Sequence, residues 1–171
     1  MLCRLTVGAS KLLWELEETL ARFVGAEFAT VFSTAYIAMI TVLSCLTRFG
    51  KCFVFYDELS HMCVLDALNG LGPNVIIVKY GHNDANDLRL KVESHVSVRD
   101  RDKFKVVVSD SLFGMDGSIF DLPSFDVVAK DYGLTLLLDE AHTIGVLGAA
   151  GRGIEEHFDM PGSVHIPPSL M

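Results

Sequence analysis

The strongest constraint on this chain is an alternation. Short apolar runs, each about five residues long, are separated by segments with helical spacing of their apolar residues. Leu12 to Phe23 repeats at helical spacing and stops at Gly25, a residue suited to a C-cap. Phe28 to Phe32 reads as a short buried strand and Ile37 to Leu46 as a helix that ends near Gly50. Cys52 to Tyr56 is a strand, followed by a polar turn and a short helix over Cys63 to Leu68. Val75 to Val78 is apolar, and Asp87 to His95 is amphipathic. Lys105 to Ser109 is a strand, Pro123 to Tyr132 a helix with its proline early, and Leu134 to Leu138 a β-run closed by Asp139. This order predicts an α/β fold with a mostly parallel sheet and flanking helices.

In such sheets, ligands sit beyond the carboxyl ends of the strands. The residues that follow each run are therefore the candidates for chemistry. They are Ser33-Thr-Ala-Tyr36, Asp57-Glu-Leu-Ser-His61, Ser109-Asp-Ser111 and Asp139-Glu-Ala-His142. A buried Asp139 needs a partner for its charge. One partner is a protonated ring nitrogen; a helix N-terminus capped by the carboxylate is the other, and position alone leaves both open. His142 follows three residues later, where it can reach the same ligand. His61 can stack on a flat ring or stand as an ordinary loop histidine. Ser111 offers a hydroxyl, but no Gly-x-Ser-x-Gly elbow surrounds it, so a serine hydrolase is disfavoured. Ser33-Thr-Ala-Tyr36 lies between a strand and a helix, and backbone N–H groups at a helix N-terminus suit a phosphate. Neither a Walker lysine nor a Gly-x-Gly-x-x-Gly fingerprint accompanies them.

Composition removes other classes. The chain has 171 residues, of which 50% are hydrophobic and 21% charged, and its formal net charge is -8. It is long enough for one sizeable core and too apolar to be disordered. The acidic balance argues against nucleic acid as a partner. No apolar run is long enough for a membrane span, and the first residues do not form a signal peptide, so a cytoplasmic location is expected. Cys3, Cys45, Cys52 and Cys63 lack metal spacing and read as free thiols, with no metal expected. From Asp159 to Met171 the periodicity stops and prolines gather. The expected division is thus a domain over 1–158 and an irregular, divergent tail over 159–171.

A set of ordered motifs carries a resemblance. They are Glu15-Leu-Glu-Glu-Thr-Leu-Ala-Arg-Phe-Val-Gly25, Asp57-Glu-Leu-Ser-His61, His82-Asn-Asp84, Phe113-Gly-Met-Asp-Gly-Ser118, Leu138-Asp-Glu-Ala-His-Thr-Ile-Gly145 and Gly151-Arg-Gly153. In order and spacing they resemble the α-oxoamine synthases, among them serine palmitoyltransferase and 8-amino-7-oxononanoate synthase. The resemblance implies the large domain of a fold-type-I enzyme that uses pyridoxal 5'-phosphate (PLP). It implies condensation of an amino acid with an acyl-CoA, in a homodimer or heterodimer. By position, His61 would stack on the cofactor ring, Asp139 would pair with the pyridine nitrogen, and His142 and Ser111 would lie at the phenolic oxygen. His61, Asp139 and His142 are the expected catalytic set, and the backbone of Ala35 and Tyr36 would bind the phosphate.

The chain departs from the family pattern at several places. Ala35 stands where the family often has Gly, Met39 where Asn is usual, and Leu13 where a His is usual. The family's Schiff-base lysine lies in a Ser/Thr-Lys motif beyond the Gly-Arg-Gly turn, whereas the only Ser-Lys pair here is Ser10-Lys11. The resemblance therefore implies an incomplete large domain that stops before the lysine and is inactive alone. The rival expectation is a non-catalytic partner subunit of a serine palmitoyltransferase-like heterodimer.

Overall fold

Gly8 and residues 10–166 are described by a computed structural model. They fall into two compact units, divided after Ser33. The first contains one helix, α1 (Lys11–Val24). Ser10 caps it by accepting the Leu13 N–H on its side chain, and Gly25 ends it in the left-handed region at φ 75°.

The strand expected over Phe28 to Phe32 does not form. The segment carries no strand pairing, and Phe28 is 80% exposed. The Val31 N–H goes instead to the Glu17 carboxylate at 2.9 Å. A strand needs a neighbouring strand for its backbone groups, and here a side chain has taken that place.

The second unit holds the rest. It contains α2 (Ala35–Leu46), β1 (Cys52–Asp57), α3 (Met62–Asn69), β2 (Val75–Tyr80) and α4 (Ala85–His95). After a short 3-10 turn come β3 (Phe104–Asp110), α5 (Leu122–Tyr132), β4 (Thr135–Asp139) and α6 (Ile154–Phe158). These strands match the sequence expectations to within one or two residues at each end. They form a sheet in the order β2-β1-β3-β4, with every pairing parallel.

Side-chain alternation divides the core into two layers. Phe53, Phe55, Val107, Leu136 and Leu138 face α4 and α5 through Leu88, Val92, Phe125 and Val128. Val54, Val106, Val108 and Leu137 face α2 and α3 through Met39, Leu43 and Val64. Burial of both faces explains why the strands are nearly continuous apolar runs. Each fully buried Phe or Leu side chain in these layers is worth about 2 kcal/mol.

The tail is described as far as Ile166, and the remainder of 159–171 lies outside the described residues. Its last described part pairs with β4. Ile166 bridges Leu137 in parallel, His165 and Ile166 N–H donate to the Leu136 carbonyl, and Leu138 N–H donates to Ile166. No helix among the described residues is long and apolar enough to cross a membrane.

Candidate active site

The chain leaves β1 for β2 on one side and returns to β3 on the other. Strand order reverses there, and sheets of this kind hold their ligand crevice at such a point. At its lip stand three acidic residues that end their strands: Asp57, Asp110 and Asp139, all buried.

Asp139 is the residue that defines the crevice. Its carbonyl accepts both the N–H and the hydroxyl of Ser111, at 2.9 and 2.7 Å. Its carboxylate Oδ1 accepts the Ala141 N–H at 3.0 Å. Among the described residues, Oδ2 is met by the thiol of Cys63, at 3.8 Å. Among the described residues, no Lys or Arg forms an ion pair with it. Burial holds this carboxyl above its ordinary value, against the pull of His61 and His142 nearby. A buried carboxylate without a cationic partner is one that a strong cationic donor would stabilise.

His61 caps α3: its Nδ1 accepts the Cys63 N–H at 3.2 Å, which fixes the ring and leaves Nδ1 unprotonated. Its own N–H donates to Asp110 Oδ1 at 3.2 Å. His142 is exposed and lies against Gly114; a Cβ added there would come within 3.1 Å of His142 Nε2. At the start of α2, Thr34 satisfies Ile37 N–H with its hydroxyl and Ala38 N–H with its carbonyl. The N–H groups of Ala35 and Tyr36 precede these and have no acceptor within the helix. Tyr36 is tied to α3 by its hydroxyl, which donates to Asp66.

Ser111 is placed differently from a ligand-binding hydroxyl. It is fully buried, and its Oγ is committed to the Asp139 carbonyl and to Thr143. His61, Asp139 and His142 are thus brought to the crevice, and Ser111 stands behind Asp139.

Sequence reasoning missed two buried acids. Asp110 is pushed up to about 6, chiefly by burial and further by Asp139. Glu140 is pushed up to about 7, again by burial first. Asp110 had a usable signal: like Asp139, it closes an apolar strand.

The family motifs also acquire physical roles. His82 bonds Asp57 Oδ1 at 3.1 Å and Ser118 Oγ at 2.9 Å, and its ring meets Phe113 edge-on. Asn83 donates from its backbone to Asp57 and from its side chain to the Ile119 carbonyl. The His82-Asn-Asp84 segment therefore clamps the Phe113–Ser118 turn, and that turn carries Gly114 against His142. Gly153, at φ 98°, leaves space for Glu140; a Cβ there would lie 1.8 Å from Glu140 Oε2.

No cluster of three or more potential metal ligands occurs among the described residues. A surface cavity of about 650 Å³, lined by residues including Val92, Arg101, Lys105 and Tyr132, lies at the other end of β3 and shares none of these groups.

A parallel sheet whose strand order reverses beside β1, with buried acids ending its strands and His61 and His142 near Asp139, has the architecture of a fold-type-I large domain. The family profile described as aminotransferase class I and II matches residues 4–166, and the chain belongs to that family. It is 37% identical to an 8-amino-7-oxononanoate synthase of Geobacter sulfurreducens over 95% of its length and 40% of the relative's. It is 35% identical to a serine palmitoyltransferase of Sphingobacterium spiritivorum, over 89% of this chain and 36% of that one. Among solved structures, it superposes on the serine palmitoyltransferase of S. paucimobilis with bound PLP–myriocin aldimine. That match has a TM-score of 0.83 and 33% identity, over 94% of this chain and 39% of that one. Its relatives are thus α-oxoamine synthases, and the chain spans about 40% of their length.

Proposed function

We propose that this chain forms the cofactor cradle of a PLP-dependent acyltransferase that condenses an amino acid with an acyl-CoA. The observation that carries the reading is Asp139, a buried acid whose Oδ2 is met by the Cys63 thiol and by no Lys or Arg among the described residues. A protonated pyridine nitrogen suits that position in charge and in hydrogen bonding.

When bound, the cofactor supplies an electron sink for charge developing at the substrate's α-carbon. The chain's own residues do the holding. Asp139 would keep the ring-nitrogen proton in place, because its charge is costly to leave unpaired. His61, fixed by Cys63 N–H, would lie on one ring face. His142 would stand at the phenolic oxygen. Ala35 and Tyr36 N–H, at the positive end of α2, would take the phosphate. Ser111 would support Asp139 from behind.

Retention of His61, Asp139 and His142 favours a chain of catalytic type over a non-catalytic partner subunit. The amino acid, the acyl-CoA and a dimeric assembly belong to the whole enzyme in this reading.

Pyridoxamine 5'-phosphate tests the cradle, because it binds without forming a Schiff base. Its fluorescence is expected to titrate saturably with the chain, to be competed by inorganic phosphate, and to lose most affinity in Asp139→Ala. No saturable binding would overturn the cradle. Borohydride reduction with PLP is expected to give no stoichiometric adduct at a single lysine. One specific adduct would mean that this chain holds its own Schiff-base lysine.

A further inference from the structure

Behind Asp139 runs a buried line of oxygens. Ser111 Oγ lies 2.7 Å from the Asp139 carbonyl and 3.0 Å from Thr143 Oγ1. Thr143 Oγ1 lies 2.9 Å from Glu140 Oε2, which also accepts the Ile154 N–H at 3.3 Å. Ser111 and Thr143 are 0% exposed and Glu140 is 2% exposed.

The proton count of this line is informative. It has three links: Glu140 to Thr143, Thr143 to Ser111, and Ser111 to the Asp139 carbonyl. Each hydroxyl owns one proton. With Glu140 ionised, two protons must serve three links, and one contact between buried oxygens has no hydrogen. With Glu140 neutral, three protons serve three links, each pointing the same way. Thr143 has one other acceptor in reach, the Glu140 carbonyl at 3.1 Å, and that oxygen already accepts the N–H groups of Thr143 and Ile144. Burial first, then the charges of Glu155 from α6 and Asp139 beside it, disfavour ionisation of Glu140, against the Thr143 hydroxyl and the Ile154 N–H, which favour it. Gly153 packs on the carboxyl and leaves no room for a side chain.

We propose that neutral Glu140 heads a one-way donor chain through Thr143 and Ser111 to the Asp139 carbonyl. These are positioning residues: they fix the Asp139 peptide so that its carboxylate, rather than its carbonyl, faces the crevice. The proposal rests on the cradle reading for its cofactor. Its own content is the link from Glu140 to Asp139.

The experiment compares pyridoxamine 5'-phosphate affinity across pH 6 to 8.5 in wild type, Thr143→Val, Thr143→Ser and Glu140→Gln, with the Asp139 carboxyl followed by carbon-13 NMR. Thr143→Val is expected to weaken binding about tenfold at every pH, and Thr143→Ser to restore it. The wild type is expected to lose affinity relative to Glu140→Gln above pH 7, because the glutamine N–H remains a donor there. The Asp139 carboxyl, held high by burial, is expected to titrate lower in Thr143→Val. Should Thr143→Val fail to fold, Ser111→Ala removes one link and supplies the same comparison. A wild type that binds while these variants match it in affinity, pH profile and Asp139 titration overturns the proposal alone. A wild type that does not bind at all overturns the cradle reading and this proposal with it.

Discussion

Asp110 and Asp139 are register partners on adjacent strands, so two buried carboxyl groups stand side by side at the end of the sheet. Like charges so close cannot both ionise cheaply, and burial adds to the cost. Asp110 is pushed up to about 6, by burial first and by Asp139 as well, and burial raises Asp139.

A pH dependence of stability follows. Asp110 and Glu140 both have folded values above their ordinary ones, near 6 and 7. Each binds a proton in the fold that the unfolded chain has released, so stability falls as pH rises through these values. Thermal unfolding is expected roughly 5 °C higher at pH 5.5 than at pH 8. Asp110→Asn should flatten the lower part of that slope and Glu140→Gln the upper part. Stability rising from pH 5.5 to 8 in the wild type would contradict the assignment.

Gly153 and Gly117 both have positive φ, yet they differ in surroundings. Gly117 has open space around it, while Gly153 lies against the Glu140 carboxyl. Gly117→Ala is expected to cost about 1 kcal/mol in urea unfolding, for backbone strain alone. Gly153→Ala must also displace a buried carboxyl and is expected to cost at least about 3 kcal/mol. Equal costs would remove the steric role given to Glu140.

Asp57 is fully buried and accepts the Leu59 N–H, the Asn83 N–H and His82 Nδ1. Asp57→Ala leaves those donors orphaned and is expected to destabilise by about 3–4 kcal/mol. His82→Ala loses its bond to Ser118, and the Phe113–Ser118 turn should exchange its amide hydrogens faster. Unchanged exchange in that turn would show that it stands without the clamp.

Cys63 is buried, and burial together with Asp139 and Asp110 pushes its thiol up to about 12. Cys45 is exposed. At pH 8, maleimide labelling read by peptide mass spectrometry should modify Cys45 at least about a hundredfold faster than Cys63. A fast Cys63 would mean that the crevice opens to solvent there.

The strands and most helices were legible because local chemistry sets them. Val106-Val-Val108 and Leu136-Leu-Leu138 are too apolar to stand anywhere but in a doubly covered sheet. Asp139 was legible for the converse reason, as an acid that ends such a run. The Phe28 to Phe32 run misled because apolarity does not supply a pairing partner. The pairing of Asp110 with Asp139 and the turning of Ser111 toward a carbonyl are products of register and loop closure. Spacing along one chain does not encode which strand will lie beside which.

The central place of β1 also bears on how the chain comes together during synthesis. Residues 52–80 complete a strand–helix–strand unit that can close as soon as they emerge. The opposite wall waits for β3 and β4, some thirty to sixty residues later. Until then, Asp57 and His61 border a half-built groove open on one side. The proposed cradle is the last part of this sheet to exist, so a nascent chain stalled before Asp139 would have a partial core and would lack the carboxylate proposed to hold the cofactor.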